Sequence, residues 1–351
     1  PGTSCFMLPE TFDFIAEFAA RAQALGIEVL VEVHSYYRRQ IEIAQKVDWV
    51  YDFALPPLVL HALFNKTAGP LKQWIGIRPN NALTVLDTHD GIGIIDIGAD
   101  SSKPVSDRAG HPGLVPPAEL DALVDTIHAN SGGQSRQATG AAASNLDLYQ
   151  VNCTFYDALA RDDRAYLIAR AIQFFLPGVP QVYYVGLLAG ENDMALLERS
   201  GVGRDINRHR YSRAEIDAAL RRPVVQDLLD LIRLRNGHPA FNGAFDLQAS
   251  DDERLALRWC QGRAWIALTV GLAQRTLLIE GALMVAGEAP GLLRWQGVAP
   301  SRWLGFDSKA WQALQQEVIP VQVVGALQVV VDLGLDRAEE PRARPGGPAR
   351  G

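Results

Sequence analysis

Two stretches of the sequence end apolar runs with acidic and imidazole side chains. EVLVEVHSYY carries Glu32 and His34, and VLDTHDGIG carries Asp87, His89 and Asp90. In a parallel sheet the carboxyl ends of strands meet at one edge, so both stretches predict one cluster of proton-transfer groups. A salt bridge or a helix cap would explain one such carboxylate. Two strand ends in glycine-flanked loops favour a functional site.

The residue types favour one chemistry over another. A glutamate and an aspartate that face one another suit cleavage of a glycosidic bond. One carboxylic acid protonates the leaving oxygen, and the second charge stabilises an oxocarbenium-like transition state. A metal site is the competing interpretation, because His34, His89 and Asp90 could hold zinc or iron. The chain lacks the HxH and HExxH spacings of compact metal sites, so we favour acid–base chemistry.

Strand and helix signals alternate around these residues. Residues 9–25 predict a helix with Phe14, Phe18, Ala22 and Leu25 at helical spacing. The stretches IEVLVEV, DWVYDFAL, NALTVLDTHD and GVPQVYYVG predict buried strands, and helical patterns separate or follow them in YRRQIEIAQKV, PPLVLHALF, RAYLIARAIQFFL and RPVVQDLLDLIRLRNGH. This alternation predicts an α/β fold with a parallel sheet.

Changes in composition divide the chain. Segments 1–91 and 161–239 carry the alternating pattern, and an irregular insert rich in small residues, 92–160, separates them. In 240–334 the stretches LALRWC, AWIALTV, RTLLIE and ALQVVVDL predict a small all-β domain. The final segment, 335–351, is rich in proline, glycine and arginine, which predicts disorder.

The composition excludes several classes of protein. The chain has 351 residues, is 48% hydrophobic and has a formal net charge of -7. It has no basic run that would contact nucleic-acid phosphates, and no apolar run near the ~18 residues of a membrane span. Its three cysteines form no CxxC pair, which favours a reducing, cytoplasmic compartment.

Six motifs together resemble a known family. VEVHSYY, VYDFALPPL, VLDTHDGIG, ATGAAASNLDLYQVN, GVPQVYYVGLLAG and GRDINRHRYS are similar to segments of the sucrose phosphorylases, retaining enzymes of the α-amylase clan (glycoside hydrolase family 13). The resemblance is close over residues 1–240 and loose beyond them. It implies strands five to eight of a TIM (β/α)8 barrel, with an inserted subdomain and a C-terminal β domain.

The resemblance also implies roles for residues of the two strand ends. Glu32 matches the general acid/base, and Asp90 matches the aspartate that stabilises the transition state. His89 and Arg204 match groups that bind the glucosyl ring, where a fixed guanidinium can hold both sugar and carboxylate. His34 either lines the site or orients Glu32.

A loop of the insert, NLDLYQ, resembles the acceptor loop of the family. Asp147 and Gln150 match residues that contact the fructosyl unit. Tyr149 matches a tyrosine associated with phosphate when the loop moves. The pair Gly132 and Gly133 suits such mobility. A surface loop without function is the alternative interpretation.

A retaining mechanism also requires a nucleophile. The resemblance implies an aspartate in an RLDA-like motif, and no such motif occurs in the chain. We therefore expect residues 1–351 to be the C-terminal portion of a longer enzyme and to be inactive alone. We also expect open edges on the outer barrel strands, which favour pairing with another chain. A homodimer is a candidate assembly.

The implied reaction is phosphorolysis of sucrose to α-D-glucose 1-phosphate and fructose by double displacement. Phosphate is a co-substrate, and no cofactor or metal is implied. Alternatives are phosphorolysis of sucrose 6'-phosphate, glucosylglycerate or glucosylglycerol, hydrolysis, and a non-catalytic carbohydrate-binding fragment. Asp87 is expected to support its turn, and Arg208 and His209 are further candidates for neighbours of the site.

Overall fold

The structure is a computed structural model of the chain and describes residues 9–140, 148–283, 291–296 and 330–332. The predicted disordered tail, 335–351, lies outside these residues. The α-helices are α1 (Pro9–Gln23), α2 (Tyr37–Ala44), α3 (Leu55–Asn65), α4 (Gly69–Ile77), α5 (Pro117–Asn130), α6 (Gln134–Thr139), α7 (Phe155–Ala158), α8 (Asp163–Phe175), α9 (Tyr184–Leu187), α10 (Met194–Ser200), α11 (Arg213–Ala219) and α12 (Pro223–Gly237). The strands are β1 (Leu30–Val31), β2 (Trp49–Asp52), β3 (Ala82–Thr84), β4 (Ile92–Gly93), β5 (Gln150–Val151), β6 (Val179–Tyr183), β7 (Ala244–Leu247), β8 (Arg254–Gln261), β9 (Ala264–Gly271), β10 (Thr276–Leu283), β11 (Gly291–Gln296) and β12 (Val330–Asp332).

A parallel sheet organises the first part of the chain. Its order is β1-β2-β3-β6-β12, and every neighbouring pair is parallel. The four strands predicted from alternating patterns are therefore confirmed as consecutive neighbours in one sheet. The strands are shorter than their apolar runs, so Glu32 follows β1 directly and Asp90 lies in the loop after β3.

The segment Val330–Asp332 corrects two predictions. The sequence placed ALQVVVDL in the β domain and left the outer edge of β6 open. In the structure Val330 pairs with Gln181 and Asp332 pairs with Tyr183, so β12 covers that edge. The physical reason is that a run of valines fits a parallel strand buried on both faces as well as an antiparallel one. Pairing also satisfies backbone groups of β6 that would otherwise lie at an open edge.

Helix α1 packs on the sheet through a different face from the one its aromatic residues suggest. Ile15 and Ala19 are buried, with relative exposures of 8% and 0%. Phe14, Phe18 and Leu25 are 65%, 55% and 77% exposed. The helical period is as predicted, but the apolar stripe is wide enough for either row to face the core. Small and branched side chains take the close contact with β1 and β2.

The insert is not irregular, which corrects that prediction. Its entry and exit, β4 and β5, form an antiparallel pair, and α5 and α6 lie between them. Leu120, Leu123 and Ile127 are buried on one face of α5, and this helical spacing was the missed signal. Gly132 and Gly133 form the turn between the helices with φ of +60° and +81°, a region that favours glycine.

A buried polar network ties α8 to the sheet. Arg170 Nη2 donates to Asp87 Oδ2 at 2.6 Å, and both side chains are buried. Gln173 Nε2 donates to the carbonyl oxygens of Thr84 in β3 and Gln181 in β6, at 2.7 and 2.8 Å. These bonds fix the loop after β3, so Asp87 supports the turn as expected and leaves Asp90 to face the site.

The second sheet is antiparallel, in the order β11-β10-β9-β8-β7. LALRWC, AWIALTV and RTLLIE are confirmed as β8, β9 and β10, whereas β7 and β11 were not predicted. Arg235 of α12 joins the two sheets. Its guanidinium lies 4.4 Å from the ring of Phe241 and 5.3 Å from that of Trp259, and it donates to Gly178 O at 3.2 Å. The helices of the described segments include none with the length and apolar character of a membrane span.

His238 lies in this junction and makes stability depend on pH. Its side chain is buried, and its Nδ1 accepts a hydrogen bond from Ala240 N at 3.3 Å. Burial lowers the pKa of His238 to about 4, whereas an unfolded histidine titrates near ~6.5. Between these values only the unfolded state binds the proton, so the free energy of unfolding falls as pH falls.

We expect this group to remove about 2 kcal/mol of stability between pH 7 and pH 5. His238→Gln should flatten the pH dependence by that amount, measured by urea unfolding at both pH values. His111→Gln, at an exposed histidine, is the control and should keep the wild-type dependence. An unchanged dependence in His238→Gln would contradict the assignment.

Candidate active site

Three side chains from two strand ends converge. A carboxylate oxygen of Glu32, a ring nitrogen of His34 and a carboxylate oxygen of Asp90 all lie within 4.8 Å of one another. Glu32 is exposed, while His34 and Asp90 are buried. The prediction that β1 and the loop after β3 bring these groups to one edge is confirmed. The site therefore combines a carboxyl group that solvent reaches with a carboxylate enclosed by the protein.

Asp90 is held by both its side chain and its backbone. Arg204 Nη1 lies 2.7 Å from Asp90 Oδ1, and Arg208 Nη2 lies 3.9 Å from the same atom. The Asp90 N–H donates to Thr88 Oγ1 at 3.1 Å, and Asn207 Nδ2 donates to Asp90 O at 2.7 Å. Asn207 was missed by the sequence analysis, although it lies in GRDINRH between the two arginines. The motif therefore holds Asp90 through both its carboxylate and its backbone carbonyl oxygen.

His89 lies at the rim of the same group. Its Nε2 is 3.7 Å from Asp90 Oδ1, its side chain is half exposed, and Arg208 Nε donates to its carbonyl oxygen at 2.9 Å. Arg208 is thus a neighbour of the site, as the sequence suggested. The ion pairs of His209 are made elsewhere, because its Nδ1 contacts the Asp193 carboxylate at 2.6 Å and its Nε2 lies 3.3 Å from Glu215.

His34 is bound by a carboxylate that the sequence analysis missed. Its Nδ1 lies 2.9 Å from Asp96 Oδ2. The other Asp96 oxygen accepts hydrogen bonds from Ser35 N at 3.0 Å and from Gln40 Nε2 at 2.9 Å. The His34 ring stacks on Phe53 with centroids 3.6 Å apart. The available signal was a single carboxylate within the apolar run GIGIIDIG, where only a paired charge is tolerated.

The charges around His34 and Tyr149 favour one protonation state for each. Burial opposes a charge on His34, but Asp96, with smaller effects of Asp90 and Glu32, raises its pKa above the usual value. Burial, together with Asp96 and Asp90, raises the pKa of Tyr149. The surrounding carboxylates therefore shift His34 toward the imidazolium form, and Tyr149 remains a neutral phenol.

The acceptor loop reaches the site in part. The ring of Tyr149 lies 5.4 Å from that of His34 and is 39% exposed. Gln150 lies in β5 opposite Gly93, and its Nε2 donates to Asn152 Oδ1 at 3.3 Å. Asp147 lies outside the described residues. The structure therefore brings Tyr149 close to His34 and places Gln150 in β5, the strand that begins directly after Tyr149.

The same cluster contains residue types that bind metal ions. The competing interpretation named His34, His89 and Asp90, but the group assembled within the described residues is Glu32, His34 and Asp90. Arg204 lies 2.7 Å from Asp90, and a guanidinium at that distance opposes a second cation on the same carboxylate. The charge of Arg204 therefore disfavours a cation at this cluster.

Comparison with known proteins places the chain beside a group of carbohydrate-active enzymes. No protein-family model matches it. It is 62% identical to the sucrose phosphorylase of Agrobacterium vitis over 273 residues, which cover 78% of this chain and 54% of the relative. It is 54% identical to the sucrose phosphorylase of Bifidobacterium adolescentis, over 85% of this chain and 57% of the relative. The chain thus spans about half the length of the curated relatives it matches.

A solved structure of another phosphorylase is also similar to this chain. The crystal structure of sucrose 6F-phosphate phosphorylase from Thermoanaerobacter thermosaccharolyticum superposes with a TM-score of 0.71 at 37% identity. The superposition covers 82% of this chain and 56% of that one.

Proposed function

Because this chain is homologous to the sucrose phosphorylases, we propose that it supplies the acid/base and sugar-binding part of a site for retaining phosphorolysis of sucrose. The parallel sheet then corresponds to strands five to eight of a (β/α)8 barrel. The observation that carries the proposal is the convergence of Glu32 and Asp90 beside the guanidinium of Arg204. Active sites of such barrels lie at the carboxyl ends of the strands, where these groups are.

In the first half-reaction Glu32 is the general acid. Its exposed carboxyl donates a proton to the fructosyl oxygen as the bond to the glucosyl carbon breaks, and fructose leaves neutral. Asp90 binds hydroxyls of the glucosyl ring, with His89 at the rim. Arg204 and Arg208 orient the Asp90 carboxylate, whose charge stabilises the positive charge that develops on the ring.

A covalent glucosyl intermediate requires an attacking carboxylate. The RLDA-like motif that would carry it does not occur in the sequence. We therefore assign this role to a segment outside the chain. In the second half-reaction an oxygen of hydrogen phosphate attacks the glucosyl carbon and gives its proton to Glu32, which regains the proton it donated. The carboxylate of the nucleophile is released, and α-D-glucose 1-phosphate forms with retained configuration.

The acceptor side belongs to the loop of Asp147, Tyr149 and Gln150, with His34 between this loop and Glu32. Fructose and phosphate occupy this side in turn. Tyr149 is neutral, which suits an unmodified fructosyl unit better than a phosphorylated one. We propose that the reaction needs no cofactor or metal and takes place in the cytoplasm, consistent with the free thiols of Cys153 and Cys260.

The test uses one polypeptide that joins this chain to the part of the A. vitis relative left unmatched by the alignment; we call it the assembled enzyme. With sucrose and phosphate it should release fructose and α-D-glucose 1-phosphate in equal amounts, detected by ³¹P NMR and anion-exchange chromatography. Residues 1–351 alone should release neither. Free glucose as the sole product would contradict phosphorolysis and indicate a hydrolase.

The same assay separates the related activities. Sucrose 6'-phosphate is the substrate class in the name of the superposed structure. If the assembled enzyme turned it over faster than sucrose, it would replace sucrose as the proposed substrate. Binding of sucrose without turnover by the assembled enzyme would favour a carbohydrate-binding protein.

A further inference from the structure

Asp96 holds a carboxylate inside the protein next to the proposed acceptor side. The residue has 0% relative exposure and accepts three hydrogen bonds, from His34 Nδ1, Ser35 N and Gln40 Nε2. Of the three donors only the imidazole can carry a charge. A buried carboxylate is stabilised far more by a charged partner than by neutral ones, so this environment favours the protonated ring of His34.

The backbone of β4 leaves room for this pair. A Cβ atom on Gly93 would overlap the Asp96 carboxylate and lie 3.1 Å from His34 Nδ1. No rotation of a larger side chain at this position relieves that contact, because the Cβ position is fixed by the backbone. Gly93 is therefore required for the contact of the two side chains, independently of their own chemistry.

His34 belongs to the cluster with Glu32 and Asp90, and its second ring nitrogen is the one that Asp96 does not bind. His34 Nε2 is buried and has no hydrogen-bond partner among residues 9–140, 148–283 and the two short described strands. Stacking on Phe53 fixes the plane of the ring, and Asp96 fixes its rotation. The titratable groups that face the ring are Asp96, Asp90 and Glu32, with the phenol of Tyr149 beside it.

We propose that Asp96 is a positioning residue that keeps His34 as an imidazolium, with Nε2–H directed at the anionic acceptor, phosphate. The inference rests on the proposed function for the identity of the acceptor. Phosphate approaches a site that contains the carboxylates of Glu32 and Asp90, which repel it. A fixed positive donor beside these carboxylates offsets this repulsion, and a neutral imidazole would not. Fructose, which is neutral, gains much less from the charge.

The protonation state is tested on the chain as it exists, without turnover. ¹⁵N NMR of histidine-labelled protein follows the ring nitrogens of His34, assigned with His34→Gln. In the wild type the ring should remain doubly protonated at pH 7. Asp96→Asn and Gly93→Ala should each lower the titration midpoint by about one pH unit or more. Asp100→Asn, at another buried carboxylate of the insert, should leave it unchanged. An unshifted midpoint in both Asp96→Asn and Gly93→Ala would overturn the proposal.

The functional consequence is tested in the assembled enzyme. Asp96→Asn should raise the KM for phosphate at pH 7 by about tenfold or more. The release of fructose from sucrose without phosphate should change by less than about threefold. If phosphorolysis and the phosphate-independent release of fructose fell by the same factor, Asp96 would have a merely structural role, and the proposal would be overturned. Absence of all turnover in the wild type would refute the proposed function while the NMR result still decides the role of Asp96.

Discussion

Replacing Glu32 by glutamine is expected to lower the phosphorolysis of sucrose by the assembled enzyme by about 10³-fold or more. Fructose is a poor leaving group and must be protonated as the bond breaks, and an amide cannot supply the proton. α-Glucosyl fluoride leaves as an anion and needs little protonation, so its reaction should fall much less. The ratio of the two kcat/KM values, measured by fructose and fluoride release, isolates proton donation from binding.

The matched control for this prediction is Glu42→Gln. Glu42 is an exposed carboxylate in α2, one element after Glu32, and pairs with Arg39 at 3.0 Å. Its replacement should leave both rates within a factor of two. If Glu32→Gln slowed both substrates equally, Glu32 would bind the sugar rather than donate a proton.

Asp90→Asn is expected to have an equally large effect of a different kind. Asp90 acts on the glucosyl ring and not on the leaving group, so sucrose and glucosyl fluoride should both lose about 10³-fold in kcat/KM, or about 4 kcal/mol of transition-state stabilisation. The substitution also leaves Arg204 and Arg208 facing a neutral amide, which removes their common partner. Circular dichroism and a thermal melt establish that the variant folds.

Asp205→Asn controls for the loss of a carboxylate near these arginines. Asp205 lies 3.5 Å from Arg208 Nη1, in the same GRDINRH motif, and does not contact Asp90 in the described bonds. Asp205→Asn should lower kcat/KM for either substrate by less than about tenfold. A loss confined to sucrose in Asp90→Asn would assign Asp90 to the leaving group and contradict its proposed role.

Local patterns were sufficient to predict the sheet and the main groups of the site. Alternating strands and helices gave four parallel neighbours, and the carboxyl ends of two of them placed Glu32 and Asp90 together. This works because alternation of strands and helices specifies parallel neighbours, and polar residues at the carboxyl ends of parallel strands have one edge in common.

The groups that hold the site together could not be predicted in the same way. Asp96 reaches His34 across 62 positions of sequence, and Arg170 reaches Asp87 across 83. Neither pair has a local spacing rule, because contact depends on how the insert and α8 pack in three dimensions. The position of the strand at 330–332 was predicted wrongly for a related reason. A run of valines specifies a strand but does not specify which strand lies next to it.

The pairing of Val330–Asp332 with β6 has a consequence for any larger assembly. A strand offers two sides for backbone pairing, and those of β6 are taken by β3 and β12. A further parallel strand arriving on the β12 side, from whatever polypeptide, must first displace these three residues. An added strand would therefore exchange with β12. The measured free energy of its binding would be the difference between the free energies of the two pairings with β6, and not the full free energy of the new pairing.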